Sequence, residues 1–239
     1  MEIANKKDFV ELKFTGYSNG QIFDSNVEED LKKIDPNGKV KETIIVVGEG
    51  MLVPGFDKAV EGKEIGKDYE IVVSAKEGFG ERNKTLMKTI PLKIFTEKEI
   101  RPYPGLVLAM DNTIAKVIAV SGARVMVDFN NPLAGKDLKY KFKIARKITD
   151  DKEKAKALFE FMFKFVPDFE VTEKEVIISG PKFVEVYAKA FSPKFKELMN
   201  KELTCKVVED KKEVQEGQKA ENSEVQEAAP EAKTDEKKE

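Results

Sequence analysis

The amino-acid sequence predicts an α+β protein, and three features carry that prediction. The first is the stretch Val47 to Val73, VGEGMLVPGFDKAVEGKEIGKDYEIVV, which reads as strand, tight turn, short helix, turn and strand. The second is a series of apolar, strand-like runs at residues 8–17, 106–110, 114–120 and 124–129, separated by turn residues. The third is the segment 151–210, where the apolar spacing becomes helical. They predict a sheet packed on a short helix, a small β-rich segment, and a C-terminal α+β module.

In chain order, residues 8–17 form a strand with Phe9, Val10, Leu12 and Phe14 apolar. Ser18-Asn19-Gly20-Gln21 is a turn whose Asn-Gly pair tolerates left-handed backbone. Ile22-Phe23 resumes a strand and Asp24-Ser25-Asn26 ends it. Val27 to Lys41 is highly charged and contains a Pro36-Asn37-Gly38 turn; it reads as a surface loop or lid. Ile44 to Val47 is an apolar strand, after which Gly48 and Gly50 let the chain turn sharply. Pro54 suits the first turn of a helix, and Gly62 the position just past its end. A helix of about two turns is unstable alone. It must be held by packing through Leu52, Val53, Phe56 and Val60. Tyr69, Ile71 and Val73 then alternate in a half-buried strand. A short helix pressed across a sheet leaves a shallow apolar pocket.

The segment 85–132 has its own strands at Leu106–Met110, Ile114–Val120 and Arg124–Phe129, with turns at Asp111-Asn112 and Ser121-Gly122. Ile90 to Phe95 adds a short helix or an extended apolar piece. Within 151–210, Lys152 to Val166 reads as a helix with Ala155, Leu158, Phe159, Met162 and Phe165 on one face. Glu173 to Ser179 is a strand, Lys182–Ala190 and Pro193–Asn200 are two helices, the second capped by Ser192, and Leu203 to Val208 is a last strand. Phe159, Phe161, Phe163, Phe165, Phe183 and Phe191 exceed what one face of so small a core can use, which points to a homodimer through 151–210. Residues 211–239 hold almost no large apolar side chain and read as a disordered charged tail.

The 239 residues allow two or three small domains, and the 41% hydrophobic content supplies their cores. Charged residues make up 36%, but the net charge of −2 gives no sign of a nucleic-acid partner. No apolar run reaches membrane length. The one cysteine, Cys205, excludes an internal disulfide and reads as a buried thiol; with no signal peptide before Asn5, the expected location is cytoplasmic. The absence of histidine removes the commonest catalytic base and metal ligand.

The pattern VxGxGxLVPGFxxAVEGxxxGxxxxxxV, followed by Gly78-Phe79-Gly80, resembles the FKBP-type peptidyl-prolyl cis–trans isomerases. Leu12–Ser25 is similar to that family's first hairpin and Leu138–Ile144 to its last strand. The segment 85–132 stands where the SlyD-like subfamily carries its chaperone, or insert-in-flap, domain, and the long archaeal type is the nearest in layout. The resemblance covers roughly residues 1–150. It implies an antiparallel sheet wrapped on a short helix and built from 1–84 plus 133–150, an inserted domain at 85–132, a module at 151–210 and a tail at 211–239. It departs from relatives with a histidine-rich, metal-binding tail.

By that resemblance the pocket is lined by Phe14, Phe23, Asp24, Leu52, Val53, Phe56, Phe79 and Tyr140, with Ile45 and Leu133 at its margin. Phe56 forms the floor, where many relatives have Trp. Val53 lends its backbone N–H to the substrate carbonyl. Asp24 sets a carboxylate beside it, although the residues alone allow a plain turn acceptor. The apolar set is equally readable as ordinary core. Many relatives carry Tyr where Phe14 and Phe79 stand; the missing hydroxyls bear on macrolide binding more than on isomerisation, which relies on apolar shape. The implied reaction crosses a barrier of about 18–20 kcal/mol set by amide resonance, a step of tens of seconds or more unaided. It needs no nucleophile, metal or cofactor. The catalyst must favour the twisted amide over both planar forms. Leu86, Met87, Ile90, Ile94, Phe95, Leu106, Leu108 and Met110 are candidate client-binding residues, and equally candidates for the core of 85–132. The expected partners are unfolded or nascent polypeptides with X–Pro bonds. The rival readings are a non-catalytic holdase and a dimeric scaffold that uses this domain only to bind peptides.

Overall fold

The computed structural model describes residues 1–110 and 113–208. Backbone proximity divides the chain into two compact units, Met1–Val166 and the part from Pro167 onward. The expected boundary at residue 151 is thus displaced towards Val166. The tail 211–239 and the turn at Asp111-Asn112 lie outside the described residues.

The first unit begins with β1 (Phe9–Ser18), β2 (Gln21–Ser25), α1 (Glu28–Ile34), β3 (Ile44–Val46), α2 (Pro54–Val60) and β4 (Asp68–Val73). It continues with β5 (Met87–Pro91), α3 (Leu92–Thr96), β6 (Val107–Met110), β7 (Thr113–Ser121) and β8 (Arg124–Asp128), and closes with β9 (Leu138–Lys147) and α4 (Asp151–Met162). One sheet runs β2-β1-β9-β4, with β3 also paired to β1, and every pairing is antiparallel. Its register sets Gly16, Tyr140 and Ile71 abreast, and Phe14, Phe142 and Tyr69 in the next row on that face.

The short helix is held as its length demands. Phe56 and Val60 are buried in a core with Val10, Leu12, Ile45, Val73, Leu138 and Ile144. A polar anchor, not expected from the sequence, supplements that packing. The buried Asp57 carboxylate accepts hydrogen bonds from Gly48 N (3.1 Å) and Gly50 N (2.9 Å). Both glycines have positive φ, so their amides turn inward towards α2. At Gly55 a Cβ would stand 2.6 Å from Val73 Cγ1; the bare backbone lets α2 settle on β4.

The charged stretch from Val27 to Lys41, expected as loop, contains α1. Its acidic first turn and basic last turn complement the helix dipole, with Lys32–Glu28 and Lys33–Asp30 pairs at 2.6 Å. Asp30 Oδ2 also accepts from Thr15 Oγ1 at 2.8 Å, which ties the helix to the sheet.

Between β4 and β9 in sequence lies a second antiparallel sheet, ordered β5-β8-β7-β6. The expected three strands are present, and the Ile90–Phe95 piece divides between β5 and α3. Its core is Phe95, Ala115, Val117, Val125 and Val127. Where the chain leaves and re-enters the first sheet, Asn83 N donates to Asn130 Oδ1 (2.8 Å) and Asn130 Nδ2 donates back to Asn83 O (2.9 Å). The buried Asp128 carboxylate accepts from Asn130 N (2.8 Å) and Nδ2 (2.6 Å) and pairs with the Arg82 guanidinium. Gly135 N donates to Gly80 O at 2.8 Å. These bonds make a two-stranded neck.

Helix α4 starts where Asp150 Oδ1 accepts from Lys152 N and Glu153 N, each at 2.9 Å. It ends at Met162 rather than Val166, and Lys164 has a φ of 64°. It joins the first unit instead of the C-terminal module. Arg146 Nη1 meets Glu153 at 2.9 Å, and α4 packs beside β3.

The second unit holds β10 (Asp168–Val171), β11 (Glu175–Gly180), α5 (Lys182–Met199) and β12 (Glu202–Val207). β10 and β11 are antiparallel, β11 and β12 parallel. Strand β10 is an addition to the expected elements. α5 is one helix through Pro193 rather than two. Val184, Ala188, Phe195 and Met199 form a continuous buried stripe, so packing on β11 and β12 outweighs the hydrogen bond that proline removes. Ser192 caps nothing; its Oγ accepts from Leu203 N at 3.1 Å. Cys205 is half-buried rather than buried, and its thiol pKa is pushed up by desolvation and by Glu185.

Candidate functional site

The sheet register and α2 bring five predicted rings together. Phe56 stacks on Tyr140 at 4.3 Å between centroids. Phe14 meets Phe56 edge-on at 5.9 Å and lies 6.4 Å from Tyr140. Phe23 meets Tyr140 edge-on at 5.8 Å and Phe79 at 6.4 Å. These separations and tilts are those at which aromatic pairs attract. Leu52, Val53 and Leu133 pack against the same core, which includes buried Ile45. Phe56 is 1% exposed and forms the floor; Phe79 is 37% exposed and stands at the rim.

Phe79 is carried by a tight loop. A single 3-10 turn at Ala75–Glu77 is pinned where Asp137 Oδ1 accepts from Ala75 N (2.9 Å), and Gly80 N donates to Ala75 O (2.8 Å). Phe23 reaches across the sheet only because residue 16 is glycine: a Cβ there would stand 2.6 Å from Phe23 Cζ. Gly16 is therefore part of the site, and sequence reading misses it. The only visible signal is a glycine inside an otherwise regular strand.

Asp24 ends β2. Desolvation raises its carboxyl pKa, against the lowering effect of a backbone hydrogen bond from Ser25. Burial, and then the nearby Asp24 charge, push the Tyr140 phenol up to about 12, so it keeps its proton at neutral pH. Tyr140 thereby supplies this pocket with a hydroxyl, although Phe14 and Phe79 bring none.

The candidate client-binding residues separate by exposure. Phe95 is 1% exposed and belongs to the core of the second sheet; it is not available to a client. Ile90, Leu106, Leu108 and Met110 pack partly buried against that core, and Met87 is half-buried. Leu86 and Ile94 are exposed. Tyr103, Val107, Ile114, Val120 and Met126 are further outward apolar side chains, with Ile114 at 62%. Apolar residues occupy both faces of β6 and β7, so alternation alone could not tell inward from outward.

Among the described residues no helix is long and apolar enough to cross a membrane. A family model described as "FKBP-type peptidyl-prolyl cis-trans isomerase" matches residues 1–94. A second, "FKBP26, IF domain", matches residues 88–133. The short-type peptidyl-prolyl cis-trans isomerase of Methanocaldococcus jannaschii is 30% identical over 147 residues, 60% of this chain and 94% of that protein. The FKBP-type isomerase SlyD of Helicobacter pylori is 26% identical over 147 residues, 60% of this chain and 74% of its own. SlyD of Escherichia coli K12 is 28% identical over 100 residues, 41% of this chain and 51% of its own. Sheet, helix, ring cluster and relatives agree: the chain is a SlyD-like member of the FKBP-type peptidyl-prolyl cis–trans isomerases.

Proposed function

We propose that the chain grips unfolded polypeptide on the segment 85–132 and rotates X–Pro bonds in the pocket formed by 1–84 and 133–150. The observation that carries this reading is the ring cluster of Phe14, Phe56, Tyr140, Phe23 and Phe79, with Asp24 at its edge. A twisted amide has a less polar carbonyl and a pyramidal nitrogen. A rigid, apolar surface disfavours it less than water does, so binding is tighter at the transition state than at either planar form. The proline ring lies against Phe56 and Tyr140. The N–H of Val53 holds the preceding carbonyl, Asp24 faces the twisting amide, and Phe79 closes the rim. The apolar side chains exposed on the second sheet, Ile114 and Val107 among them, support the client-holding role.

The test is refolding of a protein limited by a cis-proline. Micromolar wild-type protein should accelerate it, and Phe79→Ala or Asp24→Ala should weaken the acceleration. Unchanged rates with wild type would favour the holdase reading instead. Asp24 also sets a pH signature. Its folded pKa is raised, so on acidification the native state takes up this proton before the unfolded chain does. The carboxylate-dependent part of turnover should therefore fade above the ordinary aspartate range, and Asp24→Asn should remove that inflection.

The same reading makes the second unit a pairing module for two copies. Helix α5 leaves Phe183 59% and Val186 68% exposed on one face, beside Tyr187. A symmetric dimer should sediment at tens of micromolar, and Val186→Glu should reduce it to monomer; a wild-type monomer would overturn the assignment.

A further inference from the structure

The pocket opens into a groove much larger than a proline residue needs. Its volume is about 1160 Å³, against roughly 300–1,000 Å³ for a pocket that takes a drug-sized ligand. One end is the pocket itself, at Phe14, Asp24, Ile45 and Leu52; the other is the flank of α4, at Ala157, Phe161 and Phe165. The loop between α1 and β3 forms one wall through Lys39 and Lys41.

The charges along it are unbalanced. Arg146 is held by Glu11 (2.7 Å), Glu42 (3.1 Å) and Glu153 (2.9 Å), three carboxylates that more than offset its charge, so it is not free to take a ligand. Lys39, Lys41 and Lys156 line the groove with no ion-pair partner among the described residues, and Lys164 Nζ lies 5.0 Å from the Phe161 ring centroid. Only Asp24 and Glu160 face them as unpaired acids.

We infer that this groove seats the substrate chain beside the proline, and that it selects acidic and apolar residues there. The inference rests on the isomerase reading above and names its substrate class. Continuity decides the occupant: a polypeptide whose proline sits on Phe56 must leave the pocket, and this groove shares the pocket's wall at Phe14, Asp24 and Leu52. An apolar side chain of that flank meets Phe161, and an acidic one meets Lys41 or Lys156. Helix α4, which lies beyond the catalytic sheet, thus becomes a specificity element for the reaction.

The test uses the full chain and three substrates with the same X–Pro core: a tetrapeptide, a long peptide with acidic flanks and a long peptide with basic flanks. Wild type should show a lower KM for the acidic than for the basic peptide, and molar salt should erase the difference. Lys156→Glu should cut the acidic preference by roughly two- to fivefold, the range of an exposed ion pair. Phe161→Ala should lower kcat/KM for both long peptides. The tetrapeptide, too short to leave the pocket, should be turned over equally by all three proteins. Equal KM values for the two long peptides in wild type, or a preference that Lys156→Glu leaves intact, would overturn the inference while tetrapeptide turnover still upheld the isomerase. If Lys156→Glu altered sedimentation and not peptide kinetics, the groove would be a contact between copies and the inference would again fail. No turnover of the tetrapeptide would instead refute the isomerase reading.

Discussion

Removing the second sheet and joining Asn83 to Asn130 through a short glycine turn should spare tetrapeptide turnover. It should lower catalysis on an unfolded protein by roughly tenfold to a thousandfold. The neck makes the excision feasible. Asn83 and Asn130 exchange two hydrogen bonds, and Gly80 and Gly135 a third, so the severed ends already lie side by side. Arg82 loses Asp128 but is half-exposed and stays solvated. Phe79 and Tyr140 both lie outside the deletion. A tetrapeptide needs only the pocket. An unfolded chain rarely presents its proline there unaided, and a nearby apolar surface raises its local concentration by holding a second point. The measurement is kcat/KM on both substrates, for both proteins. If the two efficiencies fall together, the segment is a structural part of the pocket; if neither falls, it does not hold clients.

The second large effect is on stability. Phe56→Ala should cost about 3–5 kcal/mol, the range for deleting a buried aromatic ring. That is a large share of the roughly 5–15 kcal/mol that holds a domain together. Phe56 is 1% exposed and touches Tyr140, Phe14 and Phe142, so the cavity is bounded by rings that the sheet fixes and cannot easily refill. Denaturant unfolding of the first unit should show the loss. Phe56→Leu should recover much of the stability while still lowering isomerase activity, because the flat floor is gone. Equal stability of Phe56→Ala and wild type would show that the ring is not the keystone of α2.

The parts of the fold that were legible are those written locally. Gly48, Gly50, Pro54 and Gly62 punctuate the turn–helix–turn around α2, and alternation marks β1 and β4. The site rings followed from the family pattern, and the register of β1, β9 and β4 joins them. The parts that were not legible depend on distant partners. α1 is short and charged, and its sequence gives no sign that Thr15 will hold Asp30. α5 crosses Pro193 because four buried side chains lie on one stripe. The stop of α4 at Met162 and its attachment near Arg146 are tertiary facts. Nothing local marks Asp57 as more than a helical acid, yet it braces two amides. Gly16 and Gly55 matter for the space they leave empty, which no side chain announces.

Strand β9 is hydrogen-bonded between β1 and β4, yet it is encoded after the whole second sheet. That places an order on synthesis. The second sheet needs only residues 87–128, whereas the first cannot close until Lys147 has been made. At roughly 5–20 residues per second the interval is on the order of seconds. The second sheet should therefore mature on the ribosome before the first, while β1 and β4 still wait for the strand that joins them. A nascent chain halted before Leu138 should protect the second sheet from protease and leave β1 open to cleavage; protection of both would show that the first sheet closes without its central strand.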